Sequence, residues 1–287
     1  MPFFSIITPT CNRPDTLARA ISSVLTQTFN DFEYIIVNNG GNELNLPFAD
    51  HRIRVVCENR KGANYARNAG IENAQAEFIC FLDDDDEYLE NHLQSLFDLI
   101  KKNNDRIGLY RTYTKIESRN KEIKDQPVVL LKQGQSQLDH IYSVLLFMAC
   151  VCCHRNILRE MQFDPSIPVA QDYHLWSRIL VKYPLIETPV ITTIYHQTAT
   201  SISSPSKRKY FHYIEVYSAL FEYPEIKSQL SKSIKRDRIF KYYFWLLCEF
   251  KNELKFGEYV RVLCKIVQYK PAMLMASEFY SRMLRTP

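Results

Sequence analysis

Glycine is scarce in this sequence, with 7 residues among 287. Collagen-like repeats and flexible glycine-rich linkers are therefore excluded. Long apolar runs are also missing. The longest, 142–153, has 12 residues, whereas a helix needs about 20 to span a bilayer. No basic segment precedes the first apolar residues of the N-terminus, so we expect no secretory signal peptide.

Charge of either sign is not in large excess, because 36 Lys and Arg residues stand against 32 Asp and Glu. A formal net charge of +4 gives no indication of a nucleic-acid partner, and we expect none. The distribution is nevertheless uneven. Residues 206–287 carry 16 basic and 8 acidic side chains, and the preceding 205 residues carry 20 and 24. An acidic body with a basic tail indicates two tasks, one of them at an anionic surface.

The composition is that of a folded, intracellular protein. An apolar fraction of 46%, with 13% aromatic residues, is enough for a packed core and excludes a disordered chain. The length fits one domain of about 200 residues with an appendage. The eight cysteines lie in apolar segments, which is typical of reduced thiols. We therefore expect a cytoplasmic protein.

Short apolar runs alternate with helical patterns in the first hundred residues. The runs predict strands at 3–8, 33–37, 53–57 and 77–82, and helical spacing predicts helices at 14–27 and 63–74. This alternation predicts an α/β fold with a mostly parallel sheet flanked by helices. The later pattern is less regular and predicts strands at 107–116, 144–153 and 190–195 and helices at 173–181, 210–223, 226–250 and 259–268.

Four consecutive aspartates, Asp83 to Asp86, directly follow the fourth predicted strand. Adjacent carboxylates repel each other, by roughly 1 kcal/mol per pair at ~4 Å in water. A divalent cation such as Mg²⁺ or Mn²⁺ would relieve this repulsion and bridge the carboxylates to phosphates. In open α/β sheets, ligands bind where this cluster lies, at the carboxyl ends of strands. The alternative is that Asp86 caps a helix over 87–101.

Short motifs follow one another in a fixed order along residues 3–203. They are TPTxNR at 8–13, FEYIIV at 32–37, GAxxARNxG at 62–70, FLDDDD at 81–86 and QDYHLW at 171–176. In this order they resemble the motifs of family 2 glycosyltransferases. The resemblance implies the GT-A fold, with a nucleotide-binding half at 1–100 and an acceptor-binding half at 101–205. Residues 206–287 would then form a basic, aromatic helical extension.

The resemblance also implies an activity, the inverting transfer of a sugar from a nucleotide-diphosphate donor with the help of Mn²⁺ or Mg²⁺. Asp172 matches the general base that takes the proton of the acceptor hydroxyl, and its alternative role is an N-cap of the helix at 173–181. Asp83, Asp84 and Asp85 match the cluster that binds the metal and the ribose-diphosphate. We expect Asp85 to be the direct ligand, supported by Asp83.

Further residues match the donor site of the family. Thr8, Pro9 and Thr10 end the first strand where the family binds the nucleoside, and Asn12 and Arg13 follow them. Arg67 would reach the nucleotide or the diphosphate, unless it forms only an exposed salt bridge. His196 precedes Thr198, Ser201 and Ser203 in a loop that would contact phosphate or metal, and a surface histidine with no such role is the alternative.

Two positions depart from the family pattern. Asn38 stands where an aspartate usually binds the base. Its amide accepts and donates hydrogen bonds, so we favour uracil and leave cytosine and guanine open. Gln171 stands where a glutamate usually precedes the base, which removes a negative charge beside Asp172 and alters contacts to the acceptor or donor sugar. Trp176 either borders that sugar site or packs its helix against the sheet.

The tail mixes basic and aromatic residues, as at 207–211 and 241–245. This composition suits the interface of an anionic membrane. Together with this composition, the resemblance implies a growing polysaccharide or lipooligosaccharide, that is, a glycan or glycolipid acceptor, at the cytoplasmic face of the inner membrane. An ordinary helical appendage and a homodimer surface are the alternatives.

Two other functions remain open at this point. A nucleotidyltransferase would also bind metal through an acidic cluster, but no glycine-rich phosphate loop follows the first predicted strand. A non-catalytic interaction module on a degenerate transferase scaffold is compatible with the departures at Asn38 and Gln171. The intact aspartate cluster and Asp172 count against that second alternative.

Overall fold

A computed structural model describes residues 1–41, 43–46, 48–197, 206–250 and 254–270. The predicted domain end at 205 lies outside these residues, as do Thr198, Ser201 and Ser203. The division into a catalytic domain and an extension stays a prediction.

Residues 1–81 form four parallel strands and two helices, as the sequence predicts. They are β1 (Phe4–Thr10), α1 (Pro14–Leu25), β2 (Phe32–Asn38), β3 (Ile53–Cys57), α2 (Ala63–Asn73) and β4 (Phe78–Phe81). β1 lies between β2 and β4, and β3 lies outside β2. Parallel strands end at the same edge of a sheet, so the polar residues that follow β1, β2 and β4 come together there.

The part of the chain from residue 87 to residue 196 extends the sheet with strands of both directions. It contains β5 (Glu87–Tyr88), α3 (His92–Lys102), β6 (Leu109–Glu117), β7 (Ile123–Asp125), α4 (Gln137–Ser143), β8 (Val151–His154), α5 (Arg155–Glu160), α6 (Gln171–Leu180) and β9 (Leu185–His196). The strand order is β3-β2-β1-β4-β8-β6-β9-β5, with β7 paired to β6. β8 is antiparallel to both β4 and β6, and β9 is parallel to β6.

Two predicted elements before residue 206 differ from the structure. The helix expected from residue 87 begins at His92, because Glu87 and Tyr88 pair with β9 instead. The strand expected from residue 144 begins at Val151, because Met148–Cys150 form a 3₁₀ turn. A short apolar run has the same composition in a buried turn as in a buried strand, so hydrophobicity alone could not separate them.

Apolar side chains cover both faces of the sheet. On one face, α1 and α3 pack against β1, β2 and β4 through residues such as Leu17, Ile21, Leu93 and Leu96. On the other face, α2, α5 and α6 pack through a second cluster that includes Ile7 and Trp176. Helices on both faces are what an α/β sheet with buried strands requires.

The described part of the extension forms four helices, α7 (Lys207–Leu220), α8 (Pro224–Gln229), α9 (Lys232–Phe250) and α10 (Phe256–Tyr269). The single helix predicted over 226–250 is interrupted, because α8 ends at Gln229 and Ser231 donates its backbone N–H to Asp139. Aromatic residues of α7 and α9 belong to the same apolar cluster as α6. Among the helices of the described residues, none has both the length and the apolar character needed to cross a bilayer.

Candidate active site

The carboxyl ends of β1 and β4 bring Thr10 and the aspartate cluster together. The Thr10 hydroxyl donates a hydrogen bond to Asp84 at 2.8 Å. Arg13, which follows β1, places Nη1 3.1 Å from Asp84 and 3.2 Å from Asp85. One predicted donor-site arginine therefore lies directly on two of the predicted metal-site carboxylates.

Burial and mutual repulsion raise the pKa values of these carboxyls. Burial raises the pKa of Asp84, and the Thr10 hydroxyl opposes the change. Burial, with the charges of Asp83 and Asp84, raises the pKa of Asp85 to about 6. Carboxylates held together in a partly buried edge bind a cation more strongly than separate ones, because the cation removes this repulsion.

Asp86 has a different environment from its three neighbours. It is buried, which raises its pKa well above the ordinary value, and its carboxyl accepts the backbone N–H of His196 at 3.1 Å. The helix-cap interpretation of Asp86 is therefore wrong, since α3 begins six residues later and Asp86 instead fastens the end of β9.

The residues present fit a divalent cation that is shared with a ligand. Asp83 and Asp85 supply hard oxygen atoms, and the charge of Asp83 raises the energy of the charged form of Asp85. Within the described residues, no three His, Cys, Asp or Glu side chains are grouped so as to enclose a metal by themselves. Mg²⁺ and Mn²⁺ sites with one or two carboxylates are commonly completed by substrate phosphates and water.

Arg67 on α2 links the aspartate cluster to α6. Its Nη2 lies 2.7 Å from Asp83, and its Nη1 donates to the Gln171 side chain at 3.0 Å. Arg67 is only 5% exposed, so the interpretation of an exposed salt bridge is wrong.

Asp172 lies in the first turn of α6, where it is half-buried. The helix begins at Gln171 after Ala170, which adopts a left-handed conformation with φ of 52°. The N-cap interpretation of Asp172 is therefore wrong. Burial raises the pKa of Asp172, Arg67 lowers it and Asp83 raises it further. The predicted base and the predicted metal cluster thus lie within electrostatic reach of each other.

The residues expected around the nucleoside divide into supporting and accessible ones. Thr8 is buried and accepts a hydrogen bond from the Tyr34 hydroxyl at 2.9 Å, whereas Pro9 is partly exposed. Asn38 accepts the Gly40 N–H at 3.1 Å. Asn12 has a φ of 55°, and its side chain approaches Gly40 closely. A Cβ atom added at Gly40 would overlap with the Asn12 side chain.

His196 is held between two carboxylates. Its Nδ1 contacts Glu117, and its Nε2 lies 2.6 Å from Glu87. The alternative of a surface histidine is wrong in its position, because His196 is buried. Contact of His196 with metal or phosphate stays a prediction, and it would require one ring nitrogen to leave its carboxylate.

Trp176 does not border a sugar site. It has no exposed surface, and its ring packs 6.2 Å from Phe81 and 6.1 Å from Phe163. The alternative, that it packs α6 against the sheet, is confirmed. Its place on the helix explains this, since Trp176 and the buried Leu180 lie four residues apart on one face.

Two residues at the site were not identified from the sequence. Arg19 on α1 donates to the backbone carbonyl of Asp85 at 2.6 Å. Asn39 donates to the carbonyls of Glu58 and Arg60 at 2.6 and 2.8 Å and accepts the Gly62 N–H at 2.9 Å. Asn39 could have been found from its position in the turn at 38–41, but nothing in the sequence distinguishes Arg19 from any helical arginine.

Comparisons with known proteins agree on one family. The family model described as glycosyl transferase family 2 matches residues 5–159. The Escherichia coli enzyme UDP-Glc:alpha-D-GlcNAc-diphosphoundecaprenol beta-1,3-glucosyltransferase WfgD is 30% identical over 213 residues, which are 70% of this chain and 79% of that enzyme. The chain spans only 32% of the length of uncharacterized glycosyltransferases from Rickettsia conorii and Rickettsia felis that it also matches.

Solved structures show the same fold at low sequence identity. TarS of S. aureus, in complex with UDP-GlcNAc, has a TM-score of 0.64 at 14% identity, over 99% of this chain and 88% of that one. The mannosyltransferase PcManGT from Pyrobaculum calidifontis, in complex with GDP-Man and Mn²⁺, has a TM-score of 0.55 at 13% identity, over 99% and 85%. The predicted fold class is confirmed.

Proposed function

The chain belongs to glycosyl transferase family 2 and is a glycosyltransferase of glycan biosynthesis, and we propose that it transfers a sugar with inversion from a nucleotide-diphosphate donor to a hydroxyl of a growing glycan. One arrangement carries the proposal. Arg67 contacts both Asp83 in the aspartate cluster and Gln171, the neighbour of Asp172. A cluster suited to metal and phosphate thus lies beside a carboxylate suited to proton transfer.

In the proposed reaction, Asp172 takes the proton of the acceptor hydroxyl as its oxygen attacks the anomeric carbon. The bond from that carbon to the diphosphate oxygen breaks on the opposite face, so the configuration inverts and the nucleoside diphosphate leaves with the bonding electrons. Arg13 and Arg67 offer guanidinium groups to its growing negative charge. A divalent cation held by Asp85 and Asp83 would supply further charge neutralisation there.

We favour a UDP-linked donor. The similar enzyme WfgD is named for UDP-Glc, and TarS was solved with UDP-GlcNAc, whereas the mannosyltransferase was solved with GDP-Man. Asn38 is buried next to the predicted nucleoside site and presents an amide that is able to pair with several bases. The identity of the base therefore needs a direct measurement.

For the acceptor, we propose a lipid-linked glycan reached from the cytoplasmic face of the inner membrane. The name of WfgD specifies a sugar carried on diphosphoundecaprenol. The basic composition of residues 206–287 is compatible with an anionic membrane surface. Much of their aromatic content, however, packs inside the protein, as Tyr217 and Tyr242 do.

Calorimetric titration tests the donor site. UDP, CDP, GDP and dTDP are each titrated with Mn²⁺ and again with EDTA, and the nucleotide that binds best is then tested as a sugar donor for turnover. We expect UDP to bind only with metal and a UDP-sugar to be consumed. If no nucleotide binds in a metal-dependent way, the donor-site assignment is wrong. Binding without any turnover would favour the non-catalytic scaffold.

A further inference from the structure

Partly exposed aromatic side chains are linked by contacts to Tyr173, the residue after Asp172, and they come from parts of the chain that are distant in sequence. Tyr213 is on α7 in the extension, Tyr195 is near the end of β9, and Phe147 precedes β8. Tyr213 and Tyr195 lie beyond the residues that match the family model. The mechanism proposed above uses none of the three.

Tyr213 is held in one orientation by the extension itself. Its ring lies parallel to that of the buried Tyr242 on α9, with centroids 4.7 Å apart and planes inclined by 5°. Burial, with the charge of Asp172, raises the pKa of Tyr213. The phenol therefore stays protonated within electrostatic reach of Asp172, and one face of its ring is occupied by Tyr242.

Arg238 on α9 fixes the extension to the helix that carries Asp172. Its Nη2 donates to the carbonyl of Tyr142 at 2.8 Å. Its guanidinium lies 4.9 Å from the ring centre of Tyr173, the residue after Asp172, and 5.5 Å from that of Tyr217 on α7. Cation–π contacts in a buried site hold both rings in place, so the position of α7 relative to Asp172 is set by the core.

Tyr195 and Phe147 approach α6 from another part of the chain. Their ring centres are 4.7 Å apart, and both side chains are half-buried. Phe147 follows Leu146, whose backbone N–H is bonded to the Tyr173 hydroxyl at 3.2 Å. Tyr213 reaches the same Tyr173 through Tyr217, whose ring centre lies 6.3 Å from that of Tyr213 and 6.3 Å from that of Tyr173.

We propose that Tyr213 and Tyr195 form the subsite for the acceptor sugar and thereby make the extension part of the active site. A pyranose has apolar C–H faces and a rim of hydroxyls. The ring of a partly exposed phenol can pack against the C–H face of the sugar, and its hydroxyl can form hydrogen bonds with the sugar hydroxyls. This inference rests on the proposed function in one respect. It assumes that Asp172 is the base, so that the subsite holds the acceptor sugar with a hydroxyl directed toward Asp172.

The test measures acceptor binding apart from catalysis. The full-length protein is loaded with UDP and Mn²⁺, and saturation-transfer NMR titrations are run with the methyl pyranosides of glucose, galactose, mannose and N-acetylglucosamine. The variants are Tyr213→Ala, Tyr213→Phe and Tyr195→Ala. Tyr223→Ala is the matched control, because Tyr223 is an aromatic residue of the same extension that is 46% exposed.

We expect Tyr213→Ala and Tyr195→Ala to weaken binding of the best pyranoside about three- to tenfold, the effect of losing one aromatic contact. Tyr213→Phe should keep most of the affinity, and Tyr223→Ala all of it. UDP affinity, measured by calorimetry, should be unchanged in every variant, which also shows that they are folded.

Two results would overturn the inference while leaving the proposed function intact. One is wild-type pyranoside affinity in both Tyr213→Ala and Tyr195→Ala. The other is that the UDP-loaded wild-type protein binds none of the four pyranosides. A wild-type protein that does not bind any nucleotide with Mn²⁺ would instead contradict the proposed donor site.

Discussion

The guanidinium of Arg67 lies 2.7 Å from the carboxylate of Asp83, although the two residues are carried by different elements, α2 and the segment after β4. Arg67 is largely shielded from solvent, because only 5% of the residue is exposed. A buried guanidinium with this partner is suited to bind a diphosphate beside the cluster, because charge-assisted bonds are strong where water is excluded.

Replacing this arginine should weaken donor binding. We expect Arg67→Gln to reduce the affinity for UDP with Mn²⁺ by about ten- to a hundredfold, since a hydrogen bond to a charged group contributes about 1.5–3 kcal/mol. Calorimetry measures the affinity, and Arg159→Gln, an exposed arginine on α5, is the matched control. An Arg67→Gln protein with wild-type affinity would show that Arg67 serves only the contact between α2 and α6.

Removing the proposed base should abolish transfer and spare donor binding. We expect Asp172→Asn to lower kcat by about 10²- to 10⁴-fold, the usual contribution of a general base. UDP affinity should not change, because Asp172 contacts neither Arg13 nor the aspartate cluster directly. Asp98→Asn, at an exposed position on α3, is the control in the same turnover assay. Normal turnover by Asp172→Asn would refute the assignment.

The pH dependence of turnover should follow the environment of Asp172. A base must be deprotonated to act, so kcat/KM should fall as the pH decreases through the pKa of Asp172. Burial and Asp83 place that pKa above the ordinary value of an aspartate, whereas Arg67 lowers it. The acidic limb in Arg67→Gln should therefore move to higher pH. A limb that stays in place, or moves to lower pH, contradicts this electrostatic coupling.

As the pH is lowered, metal binding should weaken at a higher pH than it would if Asp85 had the pKa of an ordinary aspartate. The pKa of Asp85 is raised to about 6, so protons compete with the cation as the pH falls from about 7 to about 5. We expect the Mn²⁺-dependent part of UDP binding to decline over that range. In Asp85→Asn, UDP should bind equally weakly with Mn²⁺ and with EDTA. Retained metal dependence in that variant would show that the cation is held elsewhere.

Gly70 is required by the contact between α2 and β1. A Cβ at this position would overlap with the Ile7 side chain, so Gly70→Ala should lower the free energy of unfolding by about 1–3 kcal/mol, as overpacking of a core does. Urea unfolding measures the change. Gly257→Ala is the control, because no atom lies within 4 Å of a Cβ there. Equal free energies of unfolding for the two variants would show that α2 moves away from β1 without loss of stability.

The sequence predicted best those features that depend on neighbouring residues. Asp83, Asp84 and Asp85 are consecutive, so their repulsion and their place after a strand were visible without a structure. The partners of His196 were not, since Glu87 precedes it by 109 positions and Glu117 by 79. β8, which lies between β4 and β6 and runs against both, could not be placed for the same reason, because strand pairing is decided by long-range packing.

The packing of the extension could not be predicted for the same reason. Its basic and aromatic composition predicted a surface, but composition does not show which rings are covered by other elements. Arg238 illustrates this, because its charge faces Tyr142, Tyr173 and Tyr217 inside the protein. Membrane contact through residues 206–287 remains a prediction, and it concerns those basic groups that the core does not use.

The packing of Arg238 on Tyr142 and Tyr173 also limits how this enzyme can diversify. We expect that the tail of a relative would not replace residues 206–287 without loss of stability, because it would meet tyrosines that pack around the Arg238 guanidinium. Changes near residues 142–147, in α6 and in α9 should instead be inherited together. Lineages that acquire a new acceptor would then differ at all three places at once, and a chimera that respects these linked segments should fold where a simple tail swap aggregates.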